Sequence, residues 1–169
     1  EGRGRAAPAF FLRPSERDNP VSILNMLKDA KITRVMNAVA AGTSDQDGTV
    51  LDMAGFDAVC FIAAFGDNVS GSVLELQGFG NTASSTSSPT PVELTNDELL
   101  NTVGASDSDN KLLVLDIVRP AYQYVFPRVK RGTQNAVIDG IIAIQYRTRD
   151  LPVTQGSTVF DLAIIGPGV

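Results

Sequence analysis

The segment that most constrains what this chain can fold into is the run Val137-Ile138-Asp139-Gly140-Ile141-Ile142-Ala143-Ile144. It is dense in β-branched residues, whose stiff side chains suit a pleated surface better than a helix. It lacks the strict polar alternation of a strand with one wet face, so it reads as a strand that is apolar on both sides. Gly140 interrupts it where a bulge or a close backbone approach is expected. A Gly132-Thr-Gln-Asn135 turn leads into the run, and Arg147, Arg149 and Pro152 close it. A strand apolar on both faces needs a partner layer on one side and something to cover the other. That requirement points to a built, layered object rather than to a small catalytic scaffold.

The rest of the chain is punctuated in the same way. Strands are expected over 32–40, 49–53, 58–65, 72–77, 111–118, 122–129, 136–147 and 158–165. Turn material separates them at 42–48, 66–68, 106–110 and 130–133, rich in Gly, Asp, Asn and Ser. Residues 22–31 could form one or two helical turns. No long 3.6-residue periodicity lies between the strands, which disfavours a parallel βαβ design. The expected fold is all-β: an antiparallel β-sandwich, jelly-roll-like, with about eight strands. It forms a single domain over 26–169, preceded by an extended N-terminal arm over 1–25. Core is expected around 59–65, 112–117 and 138–144. At 169 residues, such a domain buries roughly two-thirds of its unfolded surface.

Composition narrows the chemistry. Histidine is absent and cysteine occurs once, at Cys60. This removes His-based triads, Cys–His pairs, zinc sites of the usual Cys/His type and intrachain disulfides. Cys60 sits within Ala58-Val-Cys-Phe-Ile-Ala-Ala64, where it reads as a small buried hydrophobe. No apolar run approaches the ~20 residues that cross a bilayer, and residues 1–20 lack the apolar core and cleavage site of a secretory signal. The net charge of −5 is unevenly distributed: residues 43–118 carry twelve acids and one base, whereas 119–149 carry six bases and one acid. The basic residues are too few, and too sparsely mixed with aromatics, for a nucleic-acid surface. Either the two segments neutralise one another within the fold, or acidic and basic faces meet between copies.

Several short motifs have simple structural explanations. Gly78-Phe-Gly80-Asn-Thr-Ala83 matches a loose dinucleotide pattern, but a Ser/Thr-rich stretch follows it instead of a helix. Asp45-Gln-Asp47-Gly48 and Asp107-Ser-Asp109 resemble pieces of calcium loops without the closing glutamate. Asn68-Val-Ser70 is a glycosylation sequon by pattern only. Glu93 and Glu98 could pair as the carboxylates of a glycosidase, but the chain has no Trp and few aromatics to grip a sugar. No catalytic, cofactor-binding or metal-ligating set emerges, and the chain reads as a non-enzyme. Tyr122, Tyr124 and Phe126 alternate as one face of a strand, and the adjoining Pro127, which cannot donate to a ladder, implies that this strand is at a sheet edge or ends near the proline. The Gly/Ser/Thr-rich residues 78–95 read as a flexible exposed loop.

Four blocks carry a family resemblance. They are Lys31-Ile-Thr-Arg-Val-Met-Asn-Ala-Val-Ala-Ala-Gly-Thr43, Asp52-Met-Ala-Gly-Phe56, Asn110-Lys-Leu-Leu-Val-Leu-Asp116 and the block opening Arg131-Gly-Thr-Gln-Asn-Ala-Val-Ile-Asp-Gly140 and running to Tyr146. In content and order they resemble a family of small virion proteins of tailed phages and prophages, over about residues 26–154. The resemblance implies a particle protein without an active site or cofactor, of the head-decoration or cement type. Its implied place is the outer head surface of the virion, after synthesis in the host cytoplasm. Its implied partners are the major capsid protein and copies of itself, as a homo-oligomer expected to be a trimer, with neither nucleic acid nor membrane. The rival roles are a neck, head-completion or tail protein, and, from another class, a carbohydrate-active hydrolase.

Contact residues are expected in two groups. In the arm, three of the prolines, Pro8, Pro14 and Pro20, keep the chain extended. Phe10 and Phe11 would be apolar anchors, and Arg3, Arg5 and Arg13 would meet carboxylates on a neighbour. Within the domain, Arg128, Lys130, Arg131, Arg147 and Arg149 form the basic segment expected to face a partner.

Overall fold

The computed structural model describes residues 26–95 and 109–163. The arm, with Arg3, Arg5, Phe10, Phe11 and Arg13, lies outside the described residues, as do Glu98 and 96–108. The described chain forms one short helix, α1 (Met26–Asp29), and ten strands. These are β1 (Lys31–Met36), β2 (Val39–Gly42), β3 (Gln46–Asp47), β4 (Leu51–Asp52), β5 (Phe56–Asn68), β6 (Val73–Asn81), β7 (Val92–Glu93), β8 (Leu112–Val118), β9 (Tyr124–Gly132) and β10 (Ala136–Thr148).

The strands build two antiparallel sheets. One has the order β1-β10-β5-β8, with β2 also pairing β10; the other has the order β3-β9-β6-β7, with β4 also pairing β9. Taking β1/β2 and β3/β4 as two interrupted strands gives eight in all, ordered 1-8-3-6 and 2-7-4-5. That interleaving is a jelly roll, in which each sheet alternates early and late strands. The expected antiparallel sandwich is therefore what the chain forms.

The alternation along the strands decides what lies between the sheets. From the first sheet, Val59, Phe61, Ala63, Ile141 and Ala143 point inward; from the second, Leu74, Val125 and Val129 meet them, all with no exposed surface. Burying a side chain of this kind contributes about 1.5–3 kcal/mol over leaving it exposed. Gly78 lets the sheets approach closely, since a Cβ there would stand 2.5 Å from the Ile117 Cδ1 methyl. Gly80 does the same for the Tyr122 ring, also at 2.5 Å. The Gly78-Phe-Gly80 pattern thus lies in strand β6, where its glycines serve packing.

Gly140 behaves as its position in the apolar run predicts. Its φ is +142°, and a Cβ would come within 3.0 Å of the Met36 carbonyl. The register shifts beside it, and the strand opposite breaks into β1 and β2. The bulge explains why the single strand expected over 32–40 is two.

Three expectations are corrected. Pro127 does not mark an edge: β9 lies between β6 and the pair β3/β4. Gly48 N–H donates to the Pro127 carbonyl at 2.8 Å, so the proline's backbone groups face the gap between β3 and β4, where the missing N–H leaves no ladder bond unmade. Residues 78–95 are not a free loop. β6 continues through Asn81, whose buried amide donates to the Ser85 and Pro89 carbonyls at 2.8 and 2.9 Å. Leu94 N–H returns to the Gly78 carbonyl at 2.8 Å, beside the pairing of β7 with β6. The expected strand over 158–165 is irregular as far as residue 163, and 164–165 lie outside the described residues. Two short strands, β3 and β7, were not expected; at two residues each they carry no readable period.

Candidate interaction surfaces

The basic segment, read as one patch in sequence, is divided by the fold. Strand β9 places Arg128 and Lys130 on the outer face of the second sheet, and their neighbours across the ladder are acidic. Arg128 grips Asp47 on β3 with two guanidinium hydrogen bonds and lies over the Phe79 ring at 4.5 Å. The Asp47 hydrogen bond is the main cause that holds its charge more firmly than usual. Phe79 in turn stacks on Phe126 at 5.5 Å. Lys130 pairs with Glu75, its register partner on β6, at 3.1 Å, which raises the ammonium's pKa. Both cations are spoken for within the chain.

Arg131, expected at a contact surface, is buried at 6% exposure. Its Nη1 donates to the Ala40 and Ala136 carbonyls at 3.0 and 2.9 Å, and its Nε to the Ser44 carbonyl at 2.7 Å. Gly42 makes room for the guanidinium, since a Cβ would stand 3.2 Å from Nη2. The side chain ties β2, the turn after it and β10 together, and burial lowers its pKa. It is a structural clamp. Its place in the period of β9 points it inward, a signal that its charge conceals in the sequence.

Arg147 and Arg149 do reach solvent. Arg149, whose side chain is 78% exposed, pairs with Asp57 at 3.2 Å. Arg119, which the basic segment contains but which was not expected among the contact residues, joins it. The two arginines come directly after β8 and β10, and both strands flank β5. Arg119 N–H donates to the Asp57 carbonyl at 2.7 Å and Arg149 N–H to the Gly55 carbonyl at 3.2 Å. They line an open cleft of about 600 Å³ with Phe56, Asp57, Tyr122 and Gln123. Arg119 and Arg147 both have left-handed backbone, with φ of 52° and 58°, a conformation that non-glycine residues adopt at some cost.

Three of the six bases of 119–149 are therefore neutralised within the fold: Asp47, Glu75 and Asp57 meet Arg128, Lys130 and Arg149. Among the described residues, Arg119 and Arg147 have no carboxylate partner. Glu93 lies on β7 and accepts from the Thr95 hydroxyl at 3.0 Å. No group of three or more Cys, Asp or Glu side chains is poised to hold a metal among the described residues, and no helix there is long and apolar enough to cross a membrane.

Cys60 lies on the outer face of the first sheet and is half-buried. Burial chiefly, and then Asp116, pushes its thiol pKa up. Tyr146 is its neighbour: the phenol lies 2.7 Å from both Asp116 oxygens. Burial and that carboxylate push the Tyr146 pKa up to about 12. No protein-family model matches the chain, and no curated protein matches it.

Proposed function

We propose that the chain is a non-enzymatic structural protein of a tailed-phage particle, a decoration or cement protein that binds the outer head surface at many equivalent sites. Its partners are the major capsid protein and further copies of itself, as a trimer. The four blocks that resemble small virion proteins support this reading by where they fall: on β1 and β2, on β4 and the start of β5, on β8, and from the end of β9 through β10. They fall almost entirely on the first sheet, as expected if the resemblance is one of architecture in that layer.

The observation that carries the proposal is the arginine-bearing end of the sandwich. Arg119, Arg147 and Arg149 are exposed, and Arg119 and Arg149 line an open cleft; of the expected contact set, Arg147 has no carboxylate partner among the described residues and Arg149 stays 78% exposed beside Asp57. Guanidinium forks suit partner carboxylates. Each exposed pair contributes only about 0.2–1 kcal/mol, so retention rests on several contacts made at once and repeated by symmetry. A protein that binds only the assembled shell stabilises it by mass action.

The test is copy number in purified particles, joined to heat resistance. A decoration protein is present at on the order of hundreds of copies, as the shell's symmetry requires, whereas a neck or connector ring holds about six or twelve. The Arg119→Ala, Arg149→Ala double variant is expected to fold and to load heads poorly. A ring-like copy number, or full loading by the double variant, refutes the reading. Deleting residues 1–20 asks the same of the arm: loss of loading with the sandwich intact is expected.

A further inference from the structure

Strand β8 is an open sheet edge. It is the outermost strand of the first sheet, and among the described residues it pairs with β5 alone, from Ala58↔Val118 to Ala64↔Leu112 without a register shift. Just past the two ends of that register, Arg119 N–H donates to the Asp57 carbonyl at 2.7 Å and Phe65 N–H to the Lys111 carbonyl at 3.1 Å. Bonded pairs recur at every second residue of an antiparallel ladder, so the odd-numbered residues of β8 bond to β5. The N–H and C=O groups of Leu112, Val114, Asp116 and Val118 therefore point away from the sheet. Among the described residues no group bonds them.

The other edges are short or tied down. β3, β4 and β7 have two residues each. On β1, Ile32 N–H donates to Gln155 Oε1 at 2.8 Å and Arg34 N–H to Thr158 Oγ1 at 3.2 Å. On β2, the Ala40 carbonyl accepts from Arg131. β8 has none of the devices that keep sheet edges apart: its sequence, LLVLDIV, holds no Lys and no Pro, and its ladder has no bulge. Leu113, Leu115 and Ile117 pack on the core, whereas Leu112, Val114 and Val118 are 59%, 61% and 49% exposed. A long, regular and apolar edge is a template for another strand.

We propose that β8 is a self-association surface: two copies pair β8 with β8, antiparallel about a two-fold axis at Leu115, so that their first sheets join into one. The edge itself selects this occupant. With the axis at Leu115, Leu112 lies opposite Val118 of the second copy and Val114 opposite Asp116 of the second copy. Every even-numbered residue then exchanges both of its free backbone groups with another even-numbered residue, and the whole strand is paired. An axis at Asp116 would set the two Asp116 carboxylates against each other, which is destabilising. An axis at Val114 would leave Val118 opposite Asn110, outside the strand. Arg119 has left-handed backbone, with φ of 52°, and turns out of the ladder before it can oppose Lys111 of the second copy. A two-fold contact uses the same patch on both copies and cannot close a three-fold ring, so in a trimeric protein it joins one trimer to the next. The inference is separate from the particle reading and is tested without particles.

Pairing of this kind doubles the mass of whatever unit exists without it. Val114→Pro removes one outward N–H and no bond to β5, a change that edge strands tolerate. In sedimentation equilibrium over a concentration series, the purified full chain is expected to approach twice the mass of the Val114→Pro protein. Val114→Asp sets a carboxylate opposite Asp116 of the second copy, and Val114→Lys sets an ammonium there. At low salt the lysine variant is expected to associate about tenfold more tightly than the aspartate variant, and Asp116→Asn is expected to erase most of that difference. If Val114→Pro loses its β circular dichroism, the two charged variants carry the test, since the side chain they replace is exposed. A mass that Val114→Pro leaves unchanged overturns the proposal, as does a lysine–aspartate difference that is absent or that Asp116→Asn leaves intact. A full chain that never doubles also overturns it and leaves the edge to a strand of another protein.

Discussion

At Gly78 the two sheets approach closely, and replacing it tests whether the sandwich is as tightly closed as its contacts indicate. An alanine Cβ would stand 2.5 Å from Ile117 Cδ1 and 3.2 Å from Leu115 Cδ2. Real Cβ contacts do not occur at the first distance, so the end of the partly buried Ile117 side chain must shift. Overpacking of this sort costs about 1–3 kcal/mol. Against it, alanine restricts the unfolded chain and returns about 0.4–1 kcal/mol. The net expectation for Gly78→Ala is a loss of up to about 2.5 kcal/mol, which in a domain of this size lowers Tm by up to about 10 °C. Ile117→Val removes the clashing methyl and alone costs about 0.5–1.5 kcal/mol. In the double variant the nearest remaining contact is Leu115 Cδ2, so the losses should fall short of additivity by about 1 kcal/mol, a coupling typical of residues in direct contact. Urea unfolding of the four proteins, read by circular dichroism with equal m-values, measures this directly. Additive losses in the double variant would refute the close approach of β6 to β8.

Three further outcomes are expected. Arg131→Met should destabilise by about 1–3 kcal/mol in the same unfolding assay, because it leaves the buried Ala136 carbonyl, and the part-buried Ala40 and Ser44 carbonyls, without their donor; Arg131→Lys should recover little, since an ammonium cannot reproduce the fork. For Tyr146, the folded pKa of about 12 lies above the ordinary value of about 10. Its contribution to stability is therefore complete below pH 10 and disappears as pH rises toward 12; absorbance titration should show one late phenol, and Tyr146→Phe should remove that part of the alkaline fall in stability. On β9, Asp47→Asn should cost less than about 1 kcal/mol and only at low salt, whereas Arg128→Ala should cost more, because it also loses the Phe79 ring contact, worth about 0.5–1 kcal/mol at an exposed site; equal losses at high salt would deny that contact.

Much of the architecture is written locally. The β-branched run of β10 and its Gly140, the apolar stretch of β5 and the Asx- and Gly-rich turns each state their own conformation, because strand period, φ preference and turn chemistry act over a few neighbouring residues. The separation of the chain into short antiparallel strands, and hence the sandwich, arises from those signals. The basic residues are legible as charges but not as a surface. Whether Arg131 faces water or backbone depends on which side of β9 meets the other sheet. Arg128 and Lys130 are neutralised by strands 81 and 55 residues away, and Arg119 meets Arg149 only because both of their strands flank β5. Gly78 and Gly80 look like a loop motif until the second sheet lies against them, and Pro127 looks like an edge until its two neighbouring strands leave a gap at its nitrogen. Local sequence determined which residues form strands, since that preference is intrinsic to the backbone and side chain. Only the tertiary structure decided what each strand faces, because facing is set by pairing between distant segments whose partners no local pattern names.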